Sequence, residues 1–272
     1  MTLSVREREF KIGPYRVIRH IAQGGMGAVY EVEDPTKDGH FALKLGANDH
    51  GRDPRFLQIH RALSRVPHPG IVNSHAVGTT PDGRSFQLLD LIHGEPAQVF
   101  ARSMGSPGSR VRSTAVITVA IHLAEALAHL HNHSIIHRDI KSSNVMVRQD
   151  HSACLIDFGA AILPGLPMRP GRFVGTYSYA APEHIRGEPL DGRADVYSMG
   201  VLLHRMLSGR PPFAADTTKD LIHQHLHAPP PRLDASLLDL PSTVVELTLA
   251  MLEKDPAHRP NAQGVAQTLM QA

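Results

Sequence analysis

The densest group of chemically capable side chains is His137-Arg-Asp139-Ile-Lys141-Ser-Ser-Asn144, followed by Asp157-Phe-Gly159. Phosphoryl transfer needs a carboxylate to orient an attacking hydroxyl, a cation on the transferring group, and oxygen ligands for Mg2+. Asp139, Lys141, Asn144 and Asp157 supply these within 19 residues. A polar turn with solvated charges is the plain alternative. Two earlier segments add to the chemical reading. Ala22-Gln-Gly24-Gly-Met-Gly27-Ala-Val29 could bring backbone N–H groups close to a phosphate. By itself it is a weak signal, since a Gly-rich hairpin is about as often only a turn. Phe41-Ala42-Leu43-Lys44 ends an apolar run on an ammonium, 17 residues beyond Gly27. Such a Lys usually snorkels to water. Beside a phosphate loop it would be a cation for the phosphates.

These groups need elements to hold them. Tyr15–Ile18, Ala28–Val32 and His40–Leu45 alternate as strands, with Asp38-Gly39 as a turn signal. Pro54–Val66 reads as a helix capped by Asp53, with Phe56, Leu57, Ala62 and Leu63 as its apolar set. Strands follow at Ile71–Gly78 and Ser85–Leu91 around the turn Pro81-Asp82-Gly83. Ser103–Ser113 is a Gly/Ser/Pro loop. Val116, Ala120, Leu123, Leu127 and Leu130 then recur at helical spacing. Ile135–Ile140, Val145–Val147 and Leu155–Ile156 read as short strand-like pieces, and Val196–Leu207 and Thr243–Glu253 as helices. Residues 1–14 form a charged leader. A small strand-rich part, about 15–91, thus precedes a larger helix-rich part, about 94–270. Two-part architectures of this kind often carry their site in the cleft between lobes.

Composition narrows the function classes. The chain has 272 residues, enough to bury a sizeable core as one large domain or two apposed lobes. Lys+Arg 28 against Asp+Glu 26 leaves +2, too small a surplus for a nucleic-acid footprint, and the absence of Trp argues against base stacking. Cys154 is the only cysteine, so no internal disulfide forms and a reducing compartment fits. The best apolar stretch, Thr114–Leu130, is interrupted by His122, Glu125 and His129, so no membrane span is expected. The N-terminus has no signal-peptide core. A cytoplasmic protein is the default expectation.

The motifs together resemble the protein Ser/Thr kinase domains of the eukaryotic-like, Hanks type found in bacteria. The resemblance runs from about Tyr15 to Leu269. Besides the segments above, Gly175-Thr176 and Ala181-Pro182-Glu183 resemble the substrate-facing loop and the end of the activation segment. Asp191-Gly-Arg-Ala-Asp195-Val-Tyr-Ser-Met-Gly200 resembles the buried central helix of the large lobe, and Asp255-Pro-Ala-His-Arg259-Pro260 the C-terminal signature whose Arg pairs with Glu183. The resemblance implies an α+β, bilobal protein-kinase-like fold: a small antiparallel lobe of five strands plus a large helical lobe.

It also implies roles. Lys44 would contact the α- and β-phosphates of ATP, Asp139 would be the catalytic base, and Lys141 would steady the γ-phosphate. Asn144 and Asp157 would hold Mg2+, with Mn2+ as a substitute. Ile21, Ala22, Gln23, Gly24, Gly25, Met26, Gly27 and Ala28 would cover the nucleotide. Val29, Ala42 and Met146 would sandwich the adenine. Asp90 and Ile92 would offer it backbone hydrogen bonds, with Leu89 guarding the pocket behind. The expected partner is a protein substrate with Ser or Thr, not nucleic acid. A homodimer or a regulatory partner stays open.

Three departures from the pattern matter. Ala22 stands where the family usually has Gly. The helix Pro54–Val66 holds no Asp or Glu, and the position of the family's Lys-pairing Glu falls on Ile59. An Ile accepts no hydrogen bond, so Lys44 needs another acceptor, with Asp157 the nearest candidate by family geometry. A weakly active or inactive nucleotide-binding scaffold is therefore the competing reading. Finally, Phe158–Gly175 contains no Ser, Thr or Tyr, so the segment offers Arg138 no local phosphate. Thr176 reads as a structural residue that holds the base and the substrate loop.

Nineteen histidines invite a metal reading at His129/His131/His133 and His223/His225/His227. Alternate spacing does not put three imidazoles on one helix face, and no Cys or carboxylate completes either set. Cys154 reads as a small buried hydrophobe.

Overall fold

The computed structural model describes residues 10–25, 27–47, 54–164 and 173–272. Asp53, Met26 and most of the leader lie outside them. The chain forms two compact units. The first runs to Pro67 and resumes at Val72–Ile92; the second holds His68–Ile71 and His93–Ala272.

The first unit is a six-stranded sheet with one helix. Its strands are β1 (Lys11–Ile12), β2 (Tyr15–Gly24), β3 (Gly27–Glu33), β4 (His40–Gly46), β5 (Ser74–Thr79) and β6 (Ser85–Asp90), and its helix is α1 (Pro54–Leu63). The order is β1-β2-β3-β4-β6-β5, antiparallel throughout. Strand alternation sends Tyr15, Val32, Leu43, Leu45, Phe86 and Leu88 to one face, where they form the core. Val29, Ala42 and Lys44 are then left on the opposite face.

The sixth strand was not expected. Ile12 is 3% exposed in that core and pairs with Tyr15, so the end of the leader belongs to the sheet. Phe10 and Ile12 about Lys11, between a charged run and Gly13-Pro14, are too short an alternation to read as a strand. Helix α1 also differs from expectation. It ends at Leu63, and it buries Ile59 and Leu63 while Leu57 is exposed. The i, i+4 pair sets the inner stripe.

The second unit is mainly helical. Its elements are β7 (Glu95–Pro96), α2 (Ala97–Ser103), α3 (Arg110–Asn132), β8 (Val145–Val147), β9 (Ala153–Leu155), α4 (Pro182–Arg186), α5 (Arg193–Ser208), α6 (Thr218–His227), α7 (Ala235–Leu238), α8 (Ser242–Met251) and α9 (Ala262–Met270). Strands β7-β8-β9 make a small antiparallel sheet. Helix α3 starts at Arg110, inside the stretch Ser103–Ser113 expected to be a loop, because Ser109 caps it by accepting from the Arg112 N–H. Ile135–Ile140 is not a strand. Ile136 makes an isolated bridge to Ile162, and Ile135 and Ile140 are buried.

By length and composition α3 could cross a membrane. Here it is the central core helix of the unit, packed on α5, α9 and β9 with Val116, Leu123, Leu127 and Leu130 buried. Its apolar character is accounted for by that burial.

Candidate active site

The geometry of the second unit converges on Asp139. Its carboxylate Oδ1 accepts from the Thr176 hydroxyl at 2.9 Å. Oδ2 meets the Lys141 ammonium at 2.7 Å and accepts from Asn144 Nδ2 at 2.9 Å. Asn144 Nδ2 also donates to the Asp139 carbonyl, at 2.8 Å. Lys141 Nζ reaches the Thr176 hydroxyl at 3.1 Å. Four residues spread over 139–176 thus form one closed network. Thr176 has the structural role expected of it, since it ties the carboxylate and the ammonium together.

The loop that carries Asp139 is held from below by one buried carboxylate. Asp195 on α5 is fully buried. It accepts from the backbone N–H of His137 and of Arg138, each at 2.8 Å, and from His131 Nε2 at 2.9 Å. Burial alone would push its pKa up. The donors, with the His131 and His137 rings, outweigh that and hold it below the ordinary carboxylate value. Arg138 takes φ +64°, and its Nε donates to the Ala160 carbonyl at 2.6 Å. The left-handed backbone at Arg138 is over-determined by these bonds. His137 is buried, contacts the Ile156 carbonyl at 3.1 Å and meets Phe158 edge-on. The stretch Asp191–Gly200 contains Asp195 but does not by itself assign it this role; an Asp directly ahead of the helical stretch Val196–Leu207 is the legible signal.

Asp157 is also left-handed, at φ +59°, and its Oδ1 accepts from the Gly159 N–H at 3.1 Å. Its carboxylate and the amide oxygen of Asn144 are hard oxygen donors, the type a Mg2+-class cation takes. Asn144 spends its NH2 on Asp139, which leaves its oxygen as an acceptor. The residues present fit a divalent cation. Among the described residues no group of three or more His, Cys, Asp or Glu is arranged to hold a metal. His129 and His133 pack ring to ring at 4.7 Å, as do His223 and His227 at 4.8 Å. Cys154 is 0% exposed, the buried hydrophobe expected.

In the first unit, Gly24 pairs with Gly27 across the β2–β3 hairpin. Ile21, Ala22, Gln23, Gly24 and Gly25 are exposed there, and Ala28 turns into the core. Gly27 has φ +131°, and a Cβ on it would sit 1.9 Å from the Leu45 carbonyl oxygen, so only Gly fits. Lys44 pairs in register with Val29 and with Gln87, and Ala42 with Leu89, so these share the face opposite the core. Asp90 ends β6. Its carboxylate accepts from Asn73 Nδ2 at 2.8 Å and from His75 Nε2 at 2.6 Å, which anchors the chain just before Ile92. Met146 lies on β8 between buried Val145 and Val147 and is itself half-buried.

The segment Ala181-Pro182-Glu183 is anchored by a distant ion pair. Arg259 donates to Glu183 through both terminal nitrogens, at 2.6 and 2.8 Å. Compared with known protein families, residues 15–270 match the one described as "Protein kinase domain". The chain belongs to the protein kinase family. It is similar to the serine/threonine-protein kinase PknH of Mycobacterium bovis, 32% identical over 253 residues, covering 91% of this chain and 42% of that protein. It is also similar to PknA of Mycobacterium tuberculosis, 32% identical over 262 residues, covering 93% and 59%. A third relative is the DNA damage-responsive serine/threonine-protein kinase RqkA of Deinococcus radiodurans, 32% identical over 259 residues, covering 92% and 38%. The chain spans about two fifths to three fifths of the length of these relatives. Membership implies use of ATP and a divalent metal.

Within the kinase domain, the helix position expected to carry a Lys-pairing Glu is Ile59, 5% exposed and packed as a core residue. The departure seen in the sequence is therefore built into the packing of α1. Among the described residues of the activation segment, Phe173 stacks on Tyr177 with ring centroids 4.0 Å apart and lies against His184.

Proposed function

We propose that this kinase domain transfers the γ-phosphoryl group of ATP, with Mg2+ or in its place Mn2+, to Ser and Thr hydroxyls of proteins, itself included. The network on Asp139 carries this reading. A carboxylate fixed by Thr176, Lys141 and Asn144 can accept the proton of a substrate hydroxyl as its oxygen attacks the γ-phosphorus. The new bond is O–P; the bond broken joins the γ-phosphorus to the oxygen that leaves with ADP. Lys141 would shift from Asp139 toward the transferring phosphoryl group. Asn144 and Asp157 would hold the metal, which supplies charge neutralisation on the phosphates when bound. Lys44 would take the α- and β-phosphates. Val29 and Ala42 of the first unit would contact the adenine, and the backbone of Asp90 and Ile92 would read its edge. Lys141 and Thr176 resemble the residues of Ser/Thr kinases at these places, where tyrosine kinases have a different catalytic-loop sequence without this Lys. Proteins are the proposed partners, in the cytoplasm, where the lone Cys154 would stay reduced.

The second reading is a kinase-fold scaffold that binds nucleotide with little transfer. The burial of Ile59 favours it. Incubation with Mg-ATP and a generic basic protein, followed by mass spectrometry, separates the two. Ser/Thr incorporation that disappears in Asp139→Asn and in Lys44→Met supports the kinase. Nucleotide binding without incorporation supports the scaffold.

A further inference from the structure

The turn Tyr177–Tyr179 follows Thr176 directly, so its placement bears on the Asp139 network. The turn is held from behind by α5 and α6. Ser198 donates to the Tyr179 carbonyl at 2.8 Å, and Arg205 to the Tyr179 hydroxyl at 3.0 Å. Helix α6 packs against the same turn and contributes His225, which is 0% exposed.

His225 sits in a cage of Tyr197, Phe213 and Lys254. The Tyr197 hydroxyl lies 3.0 Å from Nδ1, and the Phe213 ring is 5.0 Å away, edge-on. Lys254 donates to the His225 carbonyl at 2.8 Å and lies over Phe213 at 4.1 Å. The other ring nitrogen, Nε2, is enclosed by protein without an ordinary hydrogen bond, and the Ser178 backbone is the acceptor the ring approaches. Burial and the Lys254 charge lower the ring's pKa to about 4, so the imidazole is neutral at physiological pH. A neutral ring has one N–H. If it were on Nδ1, a bare Nε2 would face a carbonyl oxygen. The stable arrangement has Tyr197 donating to Nδ1 and the proton on Nε2, aimed at Ser178.

We propose that His225 is a positioning residue for the protein substrate: its Nε2–H seats the Ser178 carbonyl and so sets the turn that leads back through Thr176 to Asp139. The effect on substrate rests on the kinase reading; the effect on the turn does not.

The test compares three variants. His225→Phe keeps the ring shape without the donor. His225→Asn keeps a polar group but places its nitrogen near Nδ1. His225→Gln places an amide nitrogen near the position of Nε2. In His225→Phe and His225→Asn the KM for a Ser/Thr peptide should rise about 3–10-fold, the worth of one hydrogen bond, with kcat and the KM for ATP within about 2-fold. His225→Gln should restore the peptide KM. Amide hydrogen exchange at Tyr179 and Ala180 should quicken in His225→Phe and His225→Asn but not in His225→Gln, with α3 unchanged. That arm needs no activity, so a wild-type protein that transfers no phosphate would overturn the kinase reading and leave this one to be decided by exchange. Unchanged exchange in both His225→Phe and His225→Asn, or a peptide KM and ATP KM that rise together in all three variants, would overturn the proposal.

Discussion

Arg259 and Glu183 form a bidentate ion pair that is sealed from solvent, with side chains 0% and 3% exposed. Every donor of the guanidinium is used: Nε on the Glu253 carbonyl, and the terminal nitrogens also on the Arg193 and Lys254 carbonyls. The pair fixes the end of the activation segment to the C-terminal part of the domain, 76 residues away. Removing one partner strands the other charge. Arg259→Met should lower unfolding free energy by about 3–5 kcal/mol in urea titrations. A loss below about 1 kcal/mol would show that water reaches the stranded Glu183.

Thr176 holds both Asp139 and Lys141 through one hydroxyl. Thr176→Val keeps the shape and removes the bonds. Its kcat should fall about 10²-fold or more, within the range for disturbing a general base, while Thr176→Ser retains most activity. Steady-state kinetics on a peptide checks this, and equal rates for the two variants would refute it.

Asp195 makes part of the stability acid-sensitive. Its folded-state pKa is lowered, the net of burial and the stronger pull of the His131, His137 and backbone donors. A depressed carboxylate contributes fully above the unfolded value, about 3.9, and its contribution is lost as pH falls through the folded pKa. Asp195→Asn should therefore be clearly less stable than wild type at pH 7, and the gap should narrow below about pH 4. Urea midpoints at several pH values give the comparison. A gap independent of pH would contradict the assignment.

The β2–β3 hairpin predicts two different outcomes for two glycines. Gly27→Ala forces a Cβ onto the Leu45 carbonyl at positive φ and should destabilise the first unit by at least about 1–3 kcal/mol. Gly24 has nothing within 4 Å of such a Cβ. Gly24→Ala should fold normally and change only ATP affinity. Thermal unfolding and nucleotide titration separate the cases.

Activity should not depend on phosphorylation between Phe158 and Gly175, which contains no Ser, Thr or Tyr. Protein treated with phosphatase and shown unmodified by mass spectrometry should retain its initial rate. A rate that recovers only as phosphate appears on Thr176–Tyr179 would overturn the broader form, that activity needs no phosphate anywhere in this region.

Much of the fold could be read from the chain. Alternation marked β2, β3, β4 and β6, and helical spacing marked α3 and α5. The elements missed were short or atypical. Helix α2 has seven residues behind Pro96, and α6 is rich in His. The caps of α6 and α9 were legible in principle: Thr217 accepts from the Asp220 N–H and Asn261 from the Gly264 N–H.

The sequence by itself determined the chemical groups of this kinase domain. Asp139, Lys141, Asn144 and Asp157 lie so close along the chain that residue type and spacing name their chemistry. It also determined the missing carboxylate at Ile59 and the stretch Phe158–Gly175 without a hydroxyl. Only the tertiary structure decided what holds those groups. Thr176 reaches Asp139 across 37 residues, and Asp195 reaches His137 across 58. Local propensity says nothing about such bonds, because they exist only once α5 and the loops it buries are packed. The same packing makes Asp195 and His225 influential, since a polar group removed from water must take the partners that the fold supplies.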